Sequence, residues 1–210
     1  MSSMTATIDR GFPMMIRIRN TVTGLRRNES GLAATEFAML LPVLVLLFFG
    51  LVEASTAMTV NRKVAISANT LADLTAQSEF LIDDDMDDLF DGVKSIVEPN
   101  DSSGMSLRLV SVVRDSEGDP IVHWSRASDG TTPYTAGDYY TTLDNEDVLS
   151  SVGSLVVVEM TYTYVPSITN HVMSTPIVFD RTTIRWPRVS TKVQLCDDPN
   201  DDGEPDNCTS

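Results

Sequence analysis

The sequence predicts an α+β protein: a long N-terminal helix, half transmembrane and half amphipathic, packed on a small, mainly antiparallel β-sheet. Three observations predict it. Leu32 to Val52 form a 21-residue apolar run with one charge, Glu36. Helical spacing of apolar residues continues beyond that run to Leu74. From residue 105 onward, β-branched segments alternate with turn residues.

The chain has 210 residues and a formal net charge of −15, unevenly distributed. Residues 1–31 carry five arginines (Arg10, Arg17, Arg19, Arg26 and Arg27) against Asp9 and Glu29, a net of +3. Residues 32–210 carry 10 basic and 28 acidic residues, a net of −18. An acidic body disfavours nucleic-acid binding, which needs clustered Lys and Arg. Two Cys and two His leave little for a zinc centre or a Cys-His nucleophile. A basic head, an apolar bar and an acidic body point to a membrane-anchored chain.

As a helix, Leu32–Val52 spans about 31 Å, which matches a hydrocarbon core of about 30 Å. The upstream arginines orient the N-terminus to the cytoplasm and the acidic remainder outside. A cleaved secretory signal peptide is the competing reading, with Val52-Glu53-Ala54 as its cleavage site and Ser55 as the new terminus. Against it stand a basic region of about thirty residues, Glu36 inside the apolar stretch, and Pro42, which removes a helix hydrogen bond.

Glu36 is the anomaly in this bar. A carboxylate costs about 2.5–3.5 kcal/mol at a bilayer centre and less near an interface. One reading lets Glu36 snorkel into the headgroups. The other rests on its surroundings, where Gly31 precedes Leu32-Ala33-Ala34-Thr35-Glu36-Phe37.

After Val52 the helix becomes amphipathic. Ala57, Val60, Val64, Ala68, Leu71 and Leu74 fall three or four apart, with Asn61, Arg62, Asn69 and Asp73 between them. No proline occurs from 43 to 98, so one helix from about Leu32 to Phe80 is expected, near 73 Å long. The acidic block Asp83–Asp91 reads as the solvated start of a short amphipathic helix over 84–97, with Leu89, Phe90 and Val93 inward. Its competing readings are cation binding and contact with a basic partner.

The body predicts strands over 106–113, 121–125, 155–164 and 177–186, with a turn at Glu117-Gly118-Asp119-Pro120. His123 and His171 stand in no metal or triad spacing, and both read as ordinary surface or sheet residues. The sequence lacks GxSxG, HExxH, CxxC, GxGxxG and Walker patterns, so a non-enzymatic chain is expected. In an outside-facing tail, Cys196 and Cys208 suggest a disulfide. Within it, Asp198, Asn200, Asp202 and Asp206 match part of a calcium loop, but Thr209 stands at the twelfth position. A soluble acidic loop is the competing reading, and no other cofactor is expected. The segments expected are thus 1–31 leader, 32–53 membrane helix, 54–82 helical extension, 83–195 α+β domain and 196–210 acidic tail.

The string from Gly31 through Glu36, Phe37, Pro42 and the Leu-rich run to Gly50 and Glu53 resembles the TadE-like family of minor pilins, or pseudopilins. The resemblance covers about residues 30–75. It implies a pilin-like fold and cleavage of the leader by a prepilin peptidase between Gly31 and Leu32. It also implies an assembly role for Glu36, Phe37 and Pro42. Implied partners are other pilins and the inner-membrane assembly platform of a tight-adherence (Flp) pilus. The implied location is the bacterial inner membrane, with a periplasmic body that can reach the cell exterior in a pilus. A signal-anchored or secreted exodomain, with a binding or enzymatic role unrelated to pili, is the rival class.

Overall fold

In the computed structural model the structure describes residues 30–83, 85–128, 130–143, 148–149, 153–167, 175–198 and 205–209. The chain divides into two compact units, Met1–Gly50 and Leu51–Ser210. Helix α1 runs over Ser30–Ala76 and contains Pro42. In the first unit its side chains from Leu32 to Phe49 are exposed.

The second unit begins with the rest of α1. Val60, Val64, Ala68, Leu71 and Ala72 are fully buried there, on the stripe that a 3.6-residue period dictates. Leu74 departs from the sequence expectation, because it is 47% exposed while Ser67, Thr75 and Ala76 are buried. The reason is angular. Thr75 lies four residues after Leu71 and stays on the stripe, whereas Leu74 falls to its side. The helix also ends earlier than expected. Phe80 belongs to strand β1 (Phe80–Ile82), and Ser78 Oγ donates back to the Leu74 carbonyl at 3.2 Å, satisfying one end carbonyl.

Helix α2 (Met86–Lys94) runs into a 3-10 turn at Ser95–Val97, in place of one helix over 84–97. Met86, Phe90 and Val93 face the core. Asp87 and Asp88 stand in its first turn and Lys94 in its last, the arrangement the helix dipole favours.

Four strands form the main sheet: β2 (Met105–Arg114), β3 (Pro120–Ala127), β4 (Ser154–Tyr164) and β5 (Ile177–Arg185). Their order is β3-β2-β4-β5, and every pairing is antiparallel. The β2–β3 turn is wrapped around Asp115, whose Oδ1 accepts the backbone amides of Glu117, Gly118 and Asp119. Gly118 has φ +98, a conformation that costs a glycine little.

Alternation along the strands builds two cores. Leu107, Leu109, Val156, Val158 and Met160 pack with α1 and α2. Val110, Val112, Leu155 and Val157 point the other way and pack with Tyr140 and Leu149. The sheet is therefore covered on both faces, by α1 and α2 on one and by residues of the β3–β4 connection on the other. On that second face Glu159 binds Arg108 at 2.6 Å and accepts the Tyr140 hydroxyl at 2.6 Å. Burial, then the bonded Glu159 carboxylate, pushes the Tyr140 phenol well above its ordinary value.

A second sheet, absent from the sequence expectation, pairs β1 in parallel with β6 (Gln194–Cys196). Three-residue strands carry too little periodicity to be seen in sequence. Around this sheet, Asp83 pairs with Arg126 and Trp124 Nε1 donates to the Val193 carbonyl at 2.8 Å.

Candidate functional site

Gly31 and Leu32 lie at the start of α1, and both are exposed. A Cβ built on Gly31 would meet no atom within 4 Å, so the fold itself does not require glycine there. Glu36 stands one turn after Leu32, on the same side of the helix. It is exposed, and among the described residues it makes no hydrogen bond or ion pair. Thr35, by contrast, returns its Oγ1 to the Leu32 carbonyl at 2.8 Å. Phe37 is 58% exposed, and Pro42 continues the helix.

Around these residues the helix surface is apolar and uncovered: Met39, Leu46, Leu47 and Phe48 each expose more than 60% of their area. Stripping that surface from water is favourable by about 25 cal/mol per Å². The helix is long and apolar enough to cross a membrane, and it is a candidate membrane anchor. Pro42 has no amide proton, so the carbonyl one turn earlier loses its helical donor.

The next carboxylate, Glu53, behaves oppositely. It belongs to the second unit, is 8% exposed, and its charge joins burial in raising the Tyr164 phenol above its ordinary value, burial being the larger cause. Glu53 is thus engaged within its own unit, whereas Glu36 is presented outward.

In the tail, Cys196 and Cys208 are joined by a disulfide. Asp197 and Asp206 exchange backbone hydrogen bonds of 2.9 and 2.8 Å. Thr209 Oγ1 accepts the Leu195 amide at 2.9 Å, so this hydroxyl closes the loop. Of the four candidate calcium ligands, Asp198 is buried and Asp206 is exposed beside this bridge. Asn200 and Asp202 lie outside the described residues, as do His171 and the leader up to residue 29.

The acidic block divides by partner. Asp83 binds Arg126, and Asp91 binds Lys94 at 3.1 Å. Asp85, Asp87 and Asp88 are exposed and have no cationic partner among the described residues. A further carboxylate group, Asp115, Glu117 and Asp119, sits on the β2–β3 turn. There Asp115 already spends an oxygen on three amides, which hold its carboxyl below the ordinary range, the Asp119 amide most strongly. His123 lies between Ser111 Oγ at 3.5 Å and Lys192 Nζ at 3.4 Å. Ser111 is 1% exposed, which leaves a substrate no access to that hydroxyl.

Sequence reasoning missed the polar ties between α1 and β5. Arg181 Nη2 donates to Asn61 at 2.6 Å, and Arg185 Nη2 donates to Asn69 at 2.9 Å. The available signal was periodicity. Asn61 and Asn69 share a helix face, and Arg181 and Arg185 share a strand face.

No curated protein and no solved structure matches this chain. The exposed apolar helix that begins at the Gly31–Leu32 pair and carries Glu36 does have a match: residues 31–73 are similar to the family described as TadE-like protein.

Proposed function

We propose that this chain is a non-enzymatic, membrane-anchored minor pilin, or pseudopilin, that takes part in assembling a tight-adherence (Flp) pilus. The observation that carries the reading is the outward Glu36 carboxylate, one turn from Leu32 on an apolar helix whose residues 31–73 are TadE-like.

A prepilin peptidase cuts between Gly31 and Leu32, and a backbone without a side chain enters its narrow groove. The cut liberates an ammonium on Leu32. Glu36 of one subunit then pairs with that ammonium on a neighbour. Two unit charges 4 Å apart attract by about 4 kcal/mol at an effective dielectric near 20, before desolvation is subtracted. An unpaired carboxylate in lipid is penalised, so the pair sets the axial register between subunits. Phe37 and Pro42 shape the surrounding contact. The body, too large for a bulk fibre subunit, suits an initiating or tip-associated role. It lies outside the inner membrane, and its partners are other pilins and the assembly platform.

Mass spectrometry of the mature N-terminus, on protein from its native host, tests this. Leu32 is the expected first residue. Ser55 would support a secreted exodomain, Met1 a plain anchor, and either would overturn the pilin reading.

A further inference from the structure

The segment β1 and helix α2 form the walls of a shallow groove of about 240 Å³. Phe80, Leu81, Ile82, Met86 and Leu89 line it, with Asp85 at its side. Met86 alone of these apolar residues is buried; the others are half-buried, so the groove opens its apolar surface to solvent. Strand β1 has β6 as its one strand neighbour, and its second edge pairs with no strand among the described residues. The rim is acidic. Asp85, Asp87 and Asp88 are exposed and without a cationic partner among the described residues, whereas Asp83 and Asp91, at the ends of the block, are held by Arg126 and Lys94.

We propose that this groove docks a cationic segment of a partner protein in which Lys or Arg alternates with apolar residues. An added strand sends successive side chains to opposite sides. Its apolar side chains enter the groove, and its cationic ones are attracted by the acidic first turn of α2, where Asp85 borders the groove. A neutral apolar partner would desolvate those carboxylates without compensation. A membrane surface rich in anionic lipid would repel them. A divalent cation needs converging carboxylates, and among the described residues the one group of three that converges is Asp115, Glu117 and Asp119, on a different turn. The proposal stands apart from the pilin reading, since it uses the second unit alone.

The test is fluorescence anisotropy of a labelled peptide of alternating Lys and Ile on the full chain in a neutral detergent. Saturable binding that weakens with salt is expected. The combined Asp85→Asn, Asp87→Asn and Asp88→Asn variant should bind at least about tenfold more weakly, as should Leu89→Ser. Glu117→Gln should bind like the parent. Circular dichroism melts establish that each variant is folded. A peptide of alternating Lys and Ser, equal in charge, should bind at least about tenfold more weakly than the Lys-Ile peptide. Equal binding of the two peptides, no binding of the Lys-Ile peptide, or unchanged affinity of the folded variants would overturn the proposal.

Discussion

Arg185 of β5 donates from Nε to the Asp73 carboxylate of α1 at 2.8 Å, so this edge strand of the sheet is tied to the helix by charge. The tie matters because β5 has little core to hold it. Of its nine residues only Thr183 is buried. Arg188 adds a second contact to Asp73 at 3.3 Å, and Arg181 and Arg185 reach Asn61 and Asn69. A ladder of polar contacts does for β5 what apolar burial does for β2 and β4.

A double-mutant cycle on Asp73→Ala and Arg185→Ala measures that tie. Both side chains are about one-third exposed (39% and 34%), so solvent screens the pair and the expected coupling is about 0.5–1 kcal/mol. It should shrink at high salt. Urea melts of the full chain in detergent give the number. A coupling of zero at low salt would mean that the Asp73–Arg185 pair adds nothing to the β4 hydrogen bonds and the Asn61 and Asn69 contacts that hold β5.

The Cys196–Cys208 disulfide closes a loop around the Asp197–Asp206 bridge and holds the tail beside β6. Closing a loop of about 13 residues stabilises by about 3 kcal/mol in the chain-entropy view. Replacing both cysteines by serine should lower stability by about that amount. Because β6 carries β1, amide exchange at Phe80–Ile82 should rise before exchange at β2 or β4. Exchange mass spectrometry reads both regions in one experiment. Equal protection of β1 with and without the disulfide would detach the tail from the small sheet.

Asp115 gives a pH dependence with a definite sign. Its folded carboxyl lies below its ordinary value of about 3.9, chiefly because the Asp119 amide donates to it. A lowered carboxylate stabilises the fold at pH values above its unfolded value. That stability fades as pH falls through the folded value. Asp115→Ala should therefore reduce the melting temperature at pH 7, and the gap to the parent should narrow as pH falls below the ordinary carboxylate range. Melting curves at several pH values show it. A gap that does not narrow as pH falls below the ordinary carboxylate range would mean that the β2–β3 turn is held by packing.

The parts of this fold visible in sequence were those with sustained period. The stripe Val60, Val64, Ala68, Leu71 spans several helical turns, and β4 carries eleven residues of strand character. Both accumulate enough repeats to overcome local ambiguity. The small sheet was invisible because β1 and β6 each hold three residues and pair in parallel across more than a hundred positions. The second core was hidden too, since Tyr140 lies in a loop and Leu149 in a helical stretch too short to show a period. Gly31 and Glu36 stood out as candidates because their spacing is a local pattern. The open groove beside Asp85 depends on how β1 meets α2, and an acidic run alone looks like any solvated surface.

The Gly31–Leu32 junction and Glu36 allow processing and assembly to be separated. No atom lies within 4 Å of a Cβ at Gly31, so Gly31→Val leaves the helix free to form. The variant should fold, insert and stay unprocessed, visible as a larger species on a gel. A variant that still shortens would place the cut elsewhere. Glu36→Ala should be processed and inserted normally, since it removes a charge from an apolar helix surface. Its loss should appear afterwards, as a deficit in sheared surface fractions and in pilus yield. The charge reversal of the partner is not available, because the partner is a backbone ammonium, but Glu36→Gln isolates charge from size. If pairing with that ammonium sets the register, Gln should fail almost as badly as Ala, because a neutral amide forfeits the attraction of about 4 kcal/mol estimated at an effective dielectric near 20. Full assembly with Gln would reduce Glu36 to a hydrogen-bonding or space-filling role and leave register to Phe37 and the apolar face.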